Sequence, residues 1–273
     1  MAMSNQQKYK VTLAGFVITL AGALLFSTKA IIVKLAFKHT AMNALSLLTL
    51  RMLFALPFYL VAAWIAAKAK NTTPLTGRQW GVIVFLGLFG YYLSSLFDFV
   101  GLQYITAGLE RLILFLYPTF AILLNAFIFK QRVNRIQKIA LLLTYTGIAV
   151  AYVGELQLDM NNPDFLWGSF LIFLCSVTFA VYITGSGRII PQVGAGRFTA
   201  YAMLAATTGI FIHFALAGLM PAAGFSGIHW GYGLLLAIVA TVLPSFLISN
   251  GMKRIGSNNV AIGASAMILN NSG

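Results

Sequence analysis

The chain has 273 residues, 60% of them hydrophobic and only 8% charged, with a formal net charge of +13. Soluble domains carry about 25% charged residues, so this much apolar surface cannot be hidden in one water-soluble core and needs lipid as part of its solvent. The positive charge is divided among many segments rather than gathered in one patch, which argues against nucleic acid, and the single cysteine, Cys175, excludes an intrachain disulfide and a multi-cysteine zinc site.

Lys8 and Lys10 precede the first apolar run. That run continues from Val11 to about Val33, longer than the roughly 7 to 15 apolar residues of a cleavable signal, so it is read as a retained first span. With about 20 residues per crossing, spans are predicted near 12–37, 42–67, 80–105, 107–129 and 136–154. A second set follows near 165–189, 198–219 and 230–251, with a ninth beginning near 258. The remaining stretches are connectors, which leave no room for an extramembrane domain.

Thirteen of the eighteen Lys and Arg fall in every second gap between these runs. They are Lys8 and Lys10; Lys68, Lys70 and Arg78; Lys130, Arg132, Arg135 and Lys138; Arg188 and Arg197; and Lys253 and Arg254. The loop after the fifth run carries only the acids Glu155, Asp159 and Asp164. Short basic loops stay on the cytoplasmic side, so the amino terminus is expected inside, in a cytoplasmic (inner) membrane. Trp80, Trp167 and Trp230 stand at span starts, as interfacial belt residues do.

Sliding the chain on itself by 150 positions pairs Trp80 with Trp230, Gly81 with Gly231, Leu86 with Leu236, Leu93 with Leu243, Ser95 with Ser245 and Gly101 with Gly251. A shift of 153 pairs Gly15 with Gly168 and Phe26 with Phe179. These matches favour a duplicated five-helix unit, 1–155 and 156–273. Five is odd, so the second copy is inverted relative to the first. The expected fold is therefore an all-α integral membrane protein of ten-helix architecture, truncated in the ninth helix. Val260 to Leu269 would make only about 15 Å of helix at 1.5 Å per residue. An expression boundary or frameshift at Gly273 is favoured over a naturally shortened protein, because a half-helix leaves backbone groups in lipid.

Several segments resemble the EamA-type branch of the drug/metabolite transporter superfamily. They are Phe26-Ser27-Thr28-Lys29-Ala30 with Lys34, Leu50-Arg51-Met52, Trp80 through Gly90, Ala107-Gly108 followed by Tyr117-Pro118, and Gly147. The resemblance implies a central cavity lined by helices 1 to 4 and 6 to 9, and transport of small metabolites, amino acids or drugs by alternating access. Two positions depart from the pattern. Lys29 stands where many relatives have a small polar residue, and Asn270 where a second proline is expected.

A charge at mid-bilayer costs at least about 2.5 to 3.5 kcal/mol, so ionisable residues within spans are the candidates for binding substrate or a coupling ion. They are Lys29, Arg51, Asp98, Glu110 and Arg111, all projecting to the outer half of the membrane. Asp98, in Leu96-Phe97-Asp98-Phe99-Val100, has no polar sequence neighbour and requires a cation such as Arg111, Arg51 or Lys29, or a proton. A purely structural ion pair is the competing account of Asp98. Glu110 and Arg111 are equally readable as interfacial residues that snorkel to water, and adjacent helical positions point about 100 degrees apart. Three cations against two carboxylates leave a formal charge of +1, which points to an anionic or zwitterionic solute held at Lys29 or Arg51.

Tyr91, Tyr92 and Tyr117 sit deep enough to line a cavity, and Tyr182 and Asn250 are the best polar candidates in the second half. His213 reads as a packed residue. Pro57, Pro118 and Pro244 each remove a helical hydrogen bond, to Leu53, Leu114 and Ala240, and predict kinks. No cofactor, metal or catalytic residue is implied. His39, His213 and His229 lack HxxxH or HExxH spacing, which disfavours the alternative of an intramembrane lipid-modifying enzyme. A non-transporting membrane protein is the third class, and a homodimer is an open assembly.

Overall fold

The computed structural model of the protein describes residues 13–68, 74–129, 163–218 and 225–256, with single positions between 142 and 153 and at 260. Within them seven helices are long and apolar enough to cross a membrane. They are α1 (Leu13–Thr40), α2 (Ala44–Lys68), α3 (Gly77–Tyr104), α4 in two pieces (Ala107–Leu114 and Tyr117–Phe129), α5 (Phe165–Val193), α6 (Ala195–Ala217) and α7 (Gly227–Ile255). The protein is an all-α integral membrane protein. Most of the fifth predicted span and nearly all of the ninth lie outside the described residues, as do Glu155, Asp159 and Asn270.

α1 turns many of its small residues inward and many of its large ones outward. On α1 the small residues Gly22, Ala23, Ala30 and Ala36 are buried while Phe16, Val17, Leu24, Ile31 and Leu35 are exposed. Small inward residues let helix backbones approach closely, and large outward ones suit lipid. Trp64, Phe127, Leu166 and Leu216 continue the apolar exterior. Packing alternates along the chain: α1 lies mainly on the later part of α7, α3 on α5, and α2 on α6 and the start of α7.

Local chemistry fixes the helix ends. Asn43 Oδ1 accepts the Ser46 amide at 2.7 Å and starts α2, two residues after Ala41 takes a left-handed φ of 50°. Thr76 and Gln79 form a capping box at the start of α3, and Ser226 with His229 forms another at the start of α7. The two boxes are 150 positions apart, the same offset that pairs Trp80 with Trp230.

A second device repeats at that offset. The middle of α3 is a π-helical segment, Leu86–Leu93, and α7 carries one at Ile238–Val242. In α7 the following Pro244 offers no amide to the preceding turn, which accounts for the widened helix. α3 has no proline there. Its π segment instead contains Gly90, pressed so closely on α5 that an added Cβ would lie 2.6 Å from the Cβ of Tyr182.

The other two predicted kinks have different outcomes. Pro118 breaks α4 between Leu114 and Tyr117, whereas Pro57 sits inside an uninterrupted α2. A lost hydrogen bond permits a break without requiring one.

Candidate functional site

The side of the membrane where α1 begins is called the near face, and the side where it ends the far face. At 1.5 Å per residue, Lys29 lies roughly 16 Å from the far end of α1, Arg51 and Asp98 about 10 Å from the far ends of α2 and α3, and Glu110 within a turn of the start of α4. All four therefore occupy the far half of the bundle.

Helical spacing aims them at one another. Phe26, Lys29 and Ala30 share a face of α1, and Tyr91, Ser94, Ser95 and Asp98 share a face of α3. Thr106 caps α4 by accepting the Leu109 amide at 3.1 Å, which sets Glu110 in the first turn, where the helix dipole favours a carboxylate. The Lys29 ammonium then lies 2.8 Å from Asp98 Oδ2 and 3.5 Å from Glu110 Oε1. It also stands 4.6 Å from the centre of the Phe26 ring. One cation thus serves two carboxylates, and all three side chains are almost fully buried, Glu110 at 1% exposure. Interfacial snorkelling is thereby overturned for Glu110.

The two arginines stand apart from the carboxylates. Arg111 is half-buried and donates from Nη2 to the Ser27 carbonyl oxygen at 2.7 Å, tying α4 to α1. Arg51 is 1% exposed and donates from Nη2 to Ser95 Oγ at 3.0 Å. Its guanidinium lies 4.8 Å from the Phe99 ring centre and 5.9 Å from that of Tyr91. Lys34 donates to the Leu102 carbonyl oxygen at 3.0 Å, near the carbonyl-rich end of α3.

Two cavities meet at this cluster. The larger, about 610 Å³ of empty space including its open part, is walled mainly by Phe26, Phe115, Tyr117 and Ile248, with Lys29, Glu110 and Arg111 as its charges. The smaller, about 310 Å³ of empty space including its open part, lies against Arg51, Tyr91, Ser94, Ser95, Asp98 and Cys175. Phe26, Lys29, Leu114 and Phe179 belong to both walls. Phe26 stacks on Phe179 with ring centres 5.7 Å apart, and Tyr117 meets Phe179 edge-on at 5.1 Å. Tyr182 extends the aromatic column to Tyr91 at 5.7 Å.

The structure thus brings together Lys29, Asp98, Glu110, Arg111, Arg51, Tyr91 and Tyr117, with Tyr182 one ring further along. Asn250 is not among them. It is exposed and donates to the Phe246 carbonyl oxygen of its own helix at 2.8 Å, because its position on α7 faces away from the cavities. Tyr92 turns instead to His213, its hydroxyl 2.8 Å from Nδ1. Phe26 and Phe179 are wall residues that polarity alone does not select, although the 153-residue shift had singled them out as a pair. Ser95, which holds Arg51, was marked in the same way by its match to Ser245, itself 3.0 Å from the Tyr59 hydroxyl.

The EamA-like transporter family model matches residues 13–153. The uncharacterized transporter YcbK of Bacillus subtilis is 29% identical over 266 residues, covering 96% of this chain and 84% of its own length. The uncharacterized transporter YetK of the same organism is 23% identical over 192 residues, covering 68% of this chain and 57% of its own. A solved crystal structure superposes with a TM-score of 0.69 at 20% identity, over 92% of this chain and 83% of that one.

Proposed function

The chain belongs to the EamA-like transporter family, and from that premise we propose that it moves a small anionic or zwitterionic organic solute across the cytoplasmic membrane by alternating access. The observation that carries this reading is a cluster of five ionisable side chains around two adjoining cavities in the lipid-buried bundle. Burying such charges is costly, and in membrane proteins they mark solute and ion paths. The apolar walls of the larger cavity suit an organic body, and the charges at its base suit a polar head.

The proposal includes two inverted five-helix units, 1–155 and 156–273, with the amino terminus cytoplasmic. The paired capping boxes and π segments at the 150-residue offset support it, as do the reciprocal contacts of α1 with α7 and α3 with α5. Widened helical turns at matched places are sites where two halves can rock against each other.

Lys29 between two carboxylates also supplies a proton-coupling device. With both acids ionised the triad is formally −1, and a proton on Asp98 or Glu110 makes it neutral. Solute arrival and protonation would then bias the same buried charge balance. The test is reconstitution in proteoliposomes with a panel of amino acids and monocarboxylates, measuring uptake and analysing the recovered solute by mass spectrometry. Accumulated, chemically unchanged solute supports transport; a modified product with no accumulation would support an enzyme instead.

A further inference from the structure

Arg51 is charged, 1% exposed, and without an ion pair among the described residues. Its Nε has no hydrogen-bond partner, and Ser95 Oγ is the acceptor of its Nη2. A guanidinium cannot shed its proton as a buried lysine can, so its charge persists wherever it is placed. Lys29, the other cation on the wall of the smaller cavity, is already engaged by Asp98 and Glu110. Arg111 likewise lacks an ion pair among the described residues, but it is only half-buried and ties α4 to the Ser27 carbonyl; Arg51 is the fully buried of the two, on the wall of a cavity that Ser94 and Ser95 also line.

We propose that this smaller cavity is an anion subsite, in which Arg51 binds a compact monoanionic group, either the carboxylate of the solute or a free halide ion. The proposal deepens the transport reading and rests on it for its use, while the binding itself can be measured alone. The cavity is the smaller of the two and the more polar in its lining, so it is assigned the head of an organic solute, and the body is assigned to the larger cavity beyond the Phe26–Phe179 stack. Asp98 lines the same space with Oδ1 unpartnered, and its negative charge disfavours a dianion such as sulfate. A planar carboxylate matches the guanidinium fork, with Nε and a terminal nitrogen as donors. In a zwitterionic solute, the adjacent ammonium would fall toward Asp98 Oδ1.

The test uses purified full-length protein in detergent, titrated with sodium chloride or sodium acetate against sodium sulfate at matched ionic strength, with unfolding followed by tryptophan fluorescence. The expected result is a saturable rise in melting temperature with acetate that sulfate does not reproduce, with apparent affinity reduced at least tenfold in Arg51→Gln and at least threefold in Ser95→Ala. A rise with acetate alone identifies the solute's carboxylate as the ligand; a rise with chloride as well, each competing with the other, identifies a general monoanion site. No saturable rise with either anion, an equal rise with sulfate, or an unchanged rise in Arg51→Gln overturns the proposal. Should Arg51→Gln fail to fold, chloride-35 line broadening and acetate titration of Ser95→Ala decide it, and affinity equal to that of the original protein is the contrary result. Protein that binds acetate yet accumulates no solute in vesicles would count against the transport reading alone.

Discussion

The position 153 residues after Lys29 holds Tyr182, and the position 150 residues after Asp98 holds Ile248. Both counterparts sit near the same cavities, Ile248 on the wall of the larger one and Tyr182 in the aromatic column beside Tyr91. Phe26 and Phe179, by contrast, are the same residue at both places and stack on one another. α3 and α7 thus share a capping box and a π segment, and α1 and α5 a ring stack, while among the described residues the buried charges belong to the first set, α1 to α4, rather than to the second, α5 to α7. Shared devices serve architecture, which both sets need. On the proposed reading, the charges serve something needed at one depth only, a solute or ion bound in the far half of the membrane.

The largest effect is expected where that asymmetry is erased. Lys29→Ala leaves Asp98 and Glu110 buried without their cation, which should cost about 3 to 5 kcal/mol of stability, read as a fall in the thermal midpoint in detergent. Adding Asp98→Asn and Glu110→Gln to Lys29→Met should restore most of that stability without restoring transport. If the triple variant still transports, the charges are structural and the contrast between the two sets loses its functional meaning. Asp98→Asn alone sharpens the point. It should abolish the response of uptake to a pH gradient while leaving equilibrium exchange, and a retained gradient response would remove the proton from Asp98.

Smaller effects probe what the two sets have in common. Gly90→Ala pushes a methyl group into Tyr182 at the α3–α5 contact, an overpacking expected to cost about 1 to 3 kcal/mol and to slow transport. Thr76→Ala and Ser226→Ala remove matched caps and should each cost about 1 kcal/mol, by nearly equal amounts if the two starts are equivalent. The smallest change is expected at Asn250→Ala, within about 0.5 kcal/mol and with uptake unaltered, because that side chain faces away from the cavities.

Much of this architecture is legible in the sequence, and the physical reason differs from feature to feature. The membrane spans follow from composition, since a lipid-buried helix must be apolar along about 20 residues, and α1, α2 and α6 lie within about three residues of their expected ends. Depth is equally readable, because residue count along a helix converts directly to distance. Azimuth is not. Glu110 and Arg111 share a depth, and only the Thr106 cap and the packed position of α4 decide that the acid meets Lys29 while the arginine reaches the Ser27 carbonyl. Asn250 shows the same gap, its polarity suggesting a cavity and its helical face pointing elsewhere. The π segment of α3 carries no proline to announce it, whereas its counterpart in α7 has Pro244. The 153-residue shift pairs Phe26 with Phe179 in the sequence, but a match of type carries no information that the two rings touch.

The central claim is that the cations of the first set hold the moving solute. Solute-evoked currents from proteoliposomes on a solid-supported membrane, recorded across the amino acid and monocarboxylate panel, test it most directly. The account predicts currents with at least one anionic or zwitterionic solute in the original protein and their loss in both Lys29→Ala and Arg51→Ala. Undiminished transport of that solute by both variants would contradict it.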